Sequence, residues 1–266
     1  MEILTKIESI EPAIRQAGEI MLKYLDQDKQ IEHKEAVNLL TRADVECEQL
    51  LVDFLKSNFP DDGILAEEGH QYPSQSGFTW IIDPVDGTTS YAHGFPQFAV
   101  SVGLVNDNSE PIGGVVYNPY YKEIFQAAKG HGASLNSKPI RVSNVPSLSV
   151  ALLGTGFPYN RRERMPLLMR RLATILHNVH DVRRTGSAAL DICYVACGRT
   201  DGYFEEGLKP WDTAAALLIL EEAGGKASKF DGAKADIFFP ELCVSNSTIH
   251  AELINLLKDA HLREII

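Results

Sequence analysis

Acidic residues near the end of an apolar run have the types and spacing that suit divalent-cation chemistry. The segment Asp83-Pro84-Val85-Asp86-Gly87-Thr88-Thr89 directly follows Trp80-Ile81-Ile82 in this 266-residue chain. Two carboxylates three residues apart at the end of a buried strand would repel each other and lose hydration, and a hard cation such as Mg²⁺ relieves both costs. An Asp-Gly turn with a capping threonine explains the same residues without a metal. The segment alone leaves both interpretations open.

Two further acidic segments are ambiguous when each is taken by itself. Glu67 and Glu68 follow the short apolar stretch Ile64-Leu65, where a surface loop is the plainer interpretation. Asp212 precedes the apolar stretch Thr213 to Leu220, where it would ordinarily be a helix N-cap. Their chemistry depends on whether the fold brings them to the Asp83–Asp86 segment.

Several well-known nucleotide and metal motifs are missing from the sequence. No G-x-x-x-x-G-K-[ST] loop occurs, so P-loop nucleotide hydrolysis is not expected. Gly130-x-Gly132 and Gly154-x-Gly156 both lack the third glycine of the dinucleotide-binding fingerprint, and no H-E-x-x-H zinc motif is present. These absences favour a chemistry carried by carboxylates.

The elements that must position these carboxylates differ between the two halves of the chain. Residues 1–146 begin with an amphipathic helix and a second helix near Thr41, whose Thr41-x-x-Asp44 spacing resembles a capping box. Short strands with an Asn118-Pro119 turn then predict an antiparallel meander, and the strand at Trp80 is predicted to stop at Asp83-Pro84. Residues 147–266 alternate strands and helices, so we predict an α+β domain followed by an α/β domain.

Composition and charge restrict the partners. With 36 acidic and 25 basic residues the formal net charge is −11, which disfavours a general nucleic-acid binder or a protein that docks on anionic membranes. A set of arginines is expected to form a solvated helix face that pairs at a subunit contact, with a substrate or nucleic-acid patch as the alternative: Arg161, Arg162, Arg164, Arg170, Arg171, Arg183 and Arg184. Four scattered cysteines and no visible signal peptide predict a cytoplasmic protein.

Taken together, these segments resemble the inositol monophosphatase family of lithium-sensitive, magnesium-dependent phosphatases. The resemblance covers nearly the whole chain in order and spacing, and its bacterial branch is indicated by the run Arg183 to Asp191. It implies a layered αβαβα sugar-phosphatase fold, a homodimer, and hydrolysis of a small phosphate monoester. The most specific segments are Asp83 to Thr89 and Trp211 to Gly225 taken together, and Glu67-Glu68, Trp80-Ile81-Ile82 and Gly202 to Glu205 add to the resemblance.

The resemblance also implies a ligand set for two or three Mg²⁺ ions, with Li⁺ as an inhibitor. Glu67, Asp83 and the carbonyl of Val85 would hold one ion, and a third, weaker ion would lie near Glu67. Asp83 would bridge to the second ion, which Asp86 and Asp212 would complete.

Catalytic roles follow from the same resemblance. A metal-activated water would attack the phosphate directly, without a phosphoenzyme, and Glu67 and Thr88 would accept its proton. Asp44 would support Thr88 by a hydrogen bond, and backbone N–H groups of Gly87 and Thr88 would hold the phosphate. Direct attack predicts inversion at the phosphorus atom.

The resemblance places the alcohol portion of the substrate against Glu205, with Ala188 lining that pocket. Lys34 is placed on a loop near the metals, and Arg183 or Arg184 is expected to reach into a neighbouring site. Glu205 favours a polyol or amino-alcohol phosphate, since a carboxylate accepts hydroxyl or ammonium donors.

The favoured substrate is therefore inositol 1-phosphate. Histidinol phosphate, another sugar phosphate or a nucleotide phosphate stays open as an alternative. A regulatory binding protein with incidental phosphatase activity is the alternative from a different class, because a fold and a site do not fix a cellular role.

Overall fold

A computed structural model of the chain describes residues 2–25, 32–33 and 39–262. Seven helices lie in these ranges: α1 (Ile3–Leu25), α2 (Arg42–Asn58), α3 (Thr88–Ala92), α4 (Arg161–Asn178), α5 (Ala188–Ala196), α6 (Pro210–Glu222) and α7 (His250–Leu262). None of these described helices is both long and apolar enough to cross a membrane.

The first sheet has eight strands in the order β10-β9-β8-β7-β6-β5-β3-β4. Its strands are β3 (Gly63–Ala66), β4 (Gln71–Tyr72), β5 (Phe78–Asp86), β6 (Ala99–Asn106), β7 (Pro111–Asn118), β8 (Glu123–Ala128), β9 (Ala133–Leu135) and β10 (Lys138–Pro139). Most neighbours are antiparallel, as the predicted meander requires, and only β3 runs parallel to β5. A separate pair, β1 (Glu32–His33) and β2 (Leu39–Leu40), is also antiparallel.

The second sheet has five strands in the order β12-β11-β13-β15-β14. They are β11 (Leu152–Thr155), β12 (Asp181–Arg183), β13 (Gly202–Glu206), β14 (Lys226–Ser228) and β15 (Glu241–Ser245), and a 3-10 turn at Leu148–Val150 precedes them. Here β11 runs parallel to both β12 and β13, which gives this half its α/β character.

The two sheets and three helix pairs stack as αβαβα layers. Helices α1 and α2 cover one face of the first sheet, α5 and α6 lie between the two sheets, and α4 and α7 cover the outer face of the second. Each of the three helix layers packs in its own apolar core, and these cores contain Trp80, Ile219 and Leu253 respectively. The predicted layered fold is confirmed, whereas the division into domains at residues 146 and 147 stays a prediction.

Two sequence expectations were wrong in detail. Strand β5 does not stop at Asp83-Pro84 but continues to Asp86, because an irregularity in its pairing with β6 between Asp83 and Asp86 accommodates the proline. The arginines of α4 are not all solvated: Arg171 is buried and pairs with the buried Glu206, which Arg164 also contacts at 3.0 Å.

Candidate metal centre and active site

Strand β5 delivers the first two carboxylates of the site. Asp83 and Asp86 are both buried at its carboxyl end. The side chain of Asp83 is held by its own strand, since Oδ1 accepts the N–H of Val85 at 3.0 Å. A strand that bulges at Pro84 can turn both carboxylates toward one side, which strict alternation would not allow for residues three apart.

Helix α6 supplies the third carboxylate from far along the chain. Asp212 is not the N-cap of this helix. That position is taken by Lys209, with Pro210 at the first helical position, and Oδ2 of Asp212 accepts the N–H of Lys209 at 2.7 Å. One oxygen from each of Asp83, Asp86 and Asp212 lies within 4.8 Å of the others. The fold therefore brings these three predicted ligands together.

Glu67 reaches the same cleft because β3 runs parallel to β5. Ala66 is opposite Ile82 in this pair, so Glu67 leaves its strand beside Asp83, and its N–H donates to the carbonyl of Ile82 at 3.1 Å. Glu67, Asp83, Val85, Asp86 and Asp212 all line one cleft of about 370 Å³.

A buried side chain of α2 fixes the turn that carries Glu67. The carboxylate of Glu48 accepts the N–H of Glu68 at 2.8 Å and the N–H of His70 at 3.3 Å, and its Oε1 also lies 2.7 Å from Nδ1 of His70. Glu48 is 1% exposed. The turn is therefore tied to a buried side chain of α2.

Asp86 is anchored to the start of α5. Its carboxylate accepts hydrogen bonds from the hydroxyl of Ser187 and from the N–H groups of Ala188 at 3.3 Å and Ala189 at 2.8 Å. These are first-turn N–H groups that have no partner within a helix, so the carboxylate caps the helix from a distant strand. These hydrogen bonds fix the position of Asp86 relative to α5.

The backbone after Asp86 turns sharply into the short helix α3. Gly87 has a φ of 90°, and a Cβ at this position would lie 2.7 Å from the carbonyl oxygen of Gln97, so only glycine fits. The Thr88 hydroxyl donates to the carbonyl of Val85 at 3.0 Å. Because that proton is committed, the lone pairs of the Thr88 oxygen are left to accept another.

The electrostatics of the cluster fit a divalent cation. Burial raises the pKa of Asp83 well above its usual range, and the charges of Glu67, Asp86 and Asp212 raise it further. The pKa of Asp212 rises for the same two reasons. Burial raises the pKa of Asp86 to about 6, although hydrogen bonds from Ser187 and α5 oppose the rise. An all-oxygen donor set with this uncompensated negative charge suits Mg²⁺.

A second cavity of about 550 Å³ adjoins the metal cleft and shares Asp86, Thr88 and Asp212 with it. Ala188 and Glu205 line it, as the resemblance implied, and Arg184 does so as well. Burial raises the pKa of Glu205 to about 7, while a hydrogen bond from Tyr203 and the charge of Arg184 oppose that rise. The cavity is large enough for a small alcohol beside the phosphate.

The remaining predicted site residues have other surroundings. Asp44 is buried in the first turn of α2, where Oδ2 accepts the backbone N–H of Thr41 at 2.7 Å and its hydroxyl at 2.5 Å, as the capping box predicted. Arg183 pairs with Asp181 at the end of β12. Lys34 lies outside the described residues.

Sequence reasoning missed several residues of the site. Ser187 and Asp191 belong to the run quoted for the resemblance, yet they received no role. The N-cap pattern at Ser187, whose hydroxyl accepts the N–H of Leu190 at 3.3 Å, was a readable signal. Tyr159 lines both cavities, and Glu48 holds the Glu67 turn. Neither has a local spacing that marks it.

Comparisons with known proteins agree with this geometry. The model of the inositol monophosphatase family matches residues 4–262. An inositol-1-monophosphatase from Synechocystis is 41% identical over 254 residues, which is 95% of this chain and 88% of that protein. A protein from Xylella fastidiosa named Nus factor SuhB is 41% identical over 87% of this chain and 85% of its own. The structure of an inositol monophosphatase from Anabaena superposes with a TM-score of 0.88 at 39% identity, covering 96% of each chain.

Proposed function

The chain belongs to the inositol monophosphatase family of phosphoric monoester hydrolases, and we propose that its preferred substrate is inositol 1-phosphate, hydrolysed with Mg²⁺ as the cofactor. The observation that carries the cofactor assignment is the convergence of Asp83, Asp86 and Asp212 within 4.8 Å, in a cleft that Glu67 also lines. When bound there, Mg²⁺ ions lower the pKa of water, neutralise phosphoryl oxygens and stabilise the leaving alkoxide.

The protein's own residues orient the two parts of the ester. Asp83, Asp86, Asp212, Glu67 and the carbonyl of Val85 hold the cations. The backbone N–H groups of Gly87 and Thr88, at the start of α3, hold the phosphate facing the cleft. The ester bond then lies between the 370 Å³ metal cleft and the 550 Å³ cavity.

Proton transfer falls to Thr88 and Glu67. The Thr88 hydroxyl donates to the carbonyl of Val85, so its oxygen keeps lone pairs that accept a hydrogen bond from the attacking water and orient it. Glu67 lines the same cleft and takes the proton of that water as the carboxylate acceptor. Asp44, in the first turn of α2, is the residue that the family resemblance places in support of Thr88. No covalent intermediate is required, so inversion at the phosphorus atom is expected.

The alcohol cavity favours inositol phosphate over the other monoesters. Glu205 provides an acceptor for the hydroxyl groups of a polyol, and Ala188 leaves space for a ring. Histidinol phosphate and other sugar or nucleotide phosphates are the alternatives within the same reaction.

A substrate panel tests this assignment. Phosphate release from inositol 1-phosphate, histidinol phosphate, fructose bisphosphate and adenosine bisphosphate is measured with Mg²⁺, with Mg²⁺ plus Li⁺, and with EDTA. We expect the highest kcat/KM for inositol 1-phosphate, inhibition by Li⁺, and no turnover in EDTA. A strong preference for histidinol phosphate would overturn the substrate assignment, and equal turnover in EDTA would overturn the use of a metal.

A regulatory binding role is the second candidate, and the name Nus factor SuhB carried by similar proteins favours it. Asp212→Ala separates the two, since it removes a proposed metal ligand. If the variant restores the phenotype of a strain that lacks this chain, the cellular role is binding. If only the wild type restores it, hydrolysis is the role.

We further propose a homodimeric cytoplasmic protein that binds neither membranes nor nucleic acid in general. The family resemblance supports the dimer. Four free cysteines suit a reducing compartment, and the net charge of −11 disfavours anionic polymers and lipid surfaces.

A further inference from the structure

The alcohol cavity contains a second acidic side chain that the proposed mechanism does not use. Asp191 lies on α5 three residues after Ala188, so both face the same side of the helix, and both line the cavity. Asp191 is 3% exposed, and its Oδ1 is buried without a hydrogen-bond partner among the residues that the structure describes. A buried carboxyl oxygen in this state is costly unless a ligand supplies the missing donor.

Two glycines of the β11 segment lie beside the two acids, and one of them, Gly156, makes room for Glu205. Gly154 and Gly156 are two residues apart along an extended chain and so face the same side. A Cβ at Gly154 would lie 3.4 Å from Oδ1 of Asp191, and a Cβ at Gly156 would collide with the carboxylate of Glu205. The Gly154-x-Gly156 pair, which does not complete a nucleotide fingerprint, thus borders both acids.

Strand β13 carries Glu205 and the tyrosine that contacts it. Tyr203 pairs with Gly154 in the parallel register, and its hydroxyl donates to Glu205 two residues later. Burial raises the pKa of Asp191 well above its usual range, and the charges of Glu205 and Asp86 raise it further, whereas the nearby Thr185 hydroxyl and Arg184 lower it. Arg161 and Arg184 line the same cavity, yet Oδ1 of Asp191 has no hydrogen-bond partner among the described residues.

We infer that Asp191 is a specificity-determining residue that accepts a hydrogen bond from a second hydroxyl group of the substrate alcohol. This inference rests on the proposed function and deepens it. Glu205 and Asp191 together select monoesters of polyols whose alcohol carries at least two free hydroxyl groups within reach of both acids. Monoesters of alcohols without free hydroxyl groups gain nothing from Asp191.

Steady-state kinetics of two substrates test the role. Inositol 1-phosphate carries hydroxyl groups on its alcohol, and p-nitrophenyl phosphate carries none. Asp191→Leu preserves the branched shape but accepts no hydrogen bond, whereas Asp191→Asn retains one carbonyl acceptor. Cys193→Ala is the matched control, because Cys193 is buried in the same helix and does not line the cavity.

We expect Asp191→Leu to lower the ratio of kcat/KM for inositol 1-phosphate to kcat/KM for p-nitrophenyl phosphate by about tenfold or more. Asp191→Asn should lower it less, and the control should leave it unchanged. The Tm of Asp191→Leu should equal or exceed that of the wild type, because a buried carboxyl without a partner is removed. A purely structural residue would instead lower Tm and slow both substrates equally.

An unchanged ratio in Asp191→Leu, or equal losses on both substrates with a lower Tm, overturns the inference. Should Asp191→Leu not fold, the inference is judged on Asp191→Ala, which also removes the acceptor, and an unchanged ratio in that variant contradicts it. The proposed function fails separately, if the wild type hydrolyses neither ester with Mg²⁺. If the wild type hydrolyses inositol 1-phosphate but the kcat/KM ratio is unchanged in the variants, the role of Asp191 is contradicted and the proposed function is not.

Discussion

At the scale of single residues, each acid of the cluster is oriented by a backbone donor before any cation binds. Asp83 accepts the N–H of Val85, Asp86 accepts two N–H groups of α5, and Asp212 accepts the N–H of Lys209. These bonds fix one oxygen or one edge of each carboxylate, and they leave the remaining lone pairs for the cation. The site is therefore preorganised at the cost of mutual repulsion between the acids.

Removing one of these charges should separate stability from metal binding. We expect Asp83→Asn to leave Tm in EDTA equal to or higher than that of the wild type, because it relieves repulsion in a buried cluster. Mg²⁺ at one hundred times its Kd should stabilise the wild type by about 2.7 kcal/mol and so raise its Tm. Asp83→Asn should lose most of this stabilisation. Thermal unfolding with and without Mg²⁺ measures both effects, with the exposed Asp231→Asn as control. An intact Mg²⁺ response would contradict the placement of the site.

The same charges predict how stability depends on pH. Burial raises the pKa of Asp86 from an ordinary value near 3.8 to about 6, so the folded protein binds this proton more tightly than the unfolded chain. Without a cation, this proton contributes on the order of 3 kcal/mol to the free energy of unfolding. That stabilisation is fully present below about pH 4 and is lost as the pH rises through about 6. Asp83 and Asp212, whose pKa values are also raised, add an effect of the same sign.

Because Mg²⁺ binds the ionised acids, the stabilisation that it provides should grow as pH rises from 5 to 8. Thermal unfolding across this range in EDTA and in Mg²⁺ gives the difference directly. Asp86→Asn should flatten the curve measured in EDTA. A Mg²⁺ increment that is the same at every pH would refute this explanation.

At the scale of elements, the site depends on which segments are tied to each other. Asp86 of β5 caps α5, Glu48 of α2 holds the turn after β3, and Glu206 of β13 is clamped by two arginines of α4. Each tie joins a site residue, or its neighbour, to an element from another layer. The metal cleft and the alcohol cavity are thus positioned by interlayer contacts.

The anchored turn gives a prediction for metal affinity. Glu48→Gln replaces a carboxylate that accepts from Glu68 and His70, so the turn that carries Glu67 should be less well fixed. We expect the Mg²⁺ concentration for half-maximal activity to rise by about tenfold, with a smaller change in kcat at saturating Mg²⁺. Gln49→Ala, an exposed change on the same helix, is the control. An unchanged Mg²⁺ requirement in Glu48→Gln would show that the turn needs no anchor.

The buried arginine of α4 gives a prediction for stability. Arg171 is 5% exposed in its side chain and pairs with Glu206, which is 2% exposed. Arg171→Ala leaves that carboxylate short of a partner in the interior, which should cost about 3 kcal/mol or more in the free energy of unfolding. Urea unfolding measures the loss, with the exposed Arg162→Ala expected to lie within about 0.5 kcal/mol of the wild type. Equal values for the two variants would contradict the role of the pair.

At the scale of the whole molecule, the layers account for the position of the site between two sheets. Helix α6 packs against β5, β6 and β7 of the first sheet and against α5, so Asp212 meets Asp83 and Asp86 across that layer. A net charge of −11 by itself repels an anionic substrate. Two or three bound Mg²⁺ ions would bring +4 to +6 to the site, so the cleft attracts phosphate although the chain is acidic.

Much of this architecture could be predicted from local patterns, and some of it could not. The amphipathic spacing of α1, the capping box at Thr41 and the turn at Asn118-Pro119 all have local signatures, and the structure confirms them. Convergence of Asp212 with Asp83 depends on packing between distant segments, so it required the family resemblance. The unpartnered oxygen of Asp191 and the anchoring by Glu48 depend on three-dimensional contacts, which no spacing encodes.

The carboxylate cluster is expected to bind the Mg²⁺ on which hydrolysis of the phosphate ester depends. The most direct measurement is the rate of phosphate release from inositol 1-phosphate as a function of Mg²⁺, for EDTA-treated wild type and for Asp212→Asn. We predict no release by the wild type without Mg²⁺, saturable activation by the ion, and a loss of about a hundredfold or more in kcat/KM for the variant. Turnover by the wild type in EDTA, or wild-type kinetics in Asp212→Asn, would contradict the account.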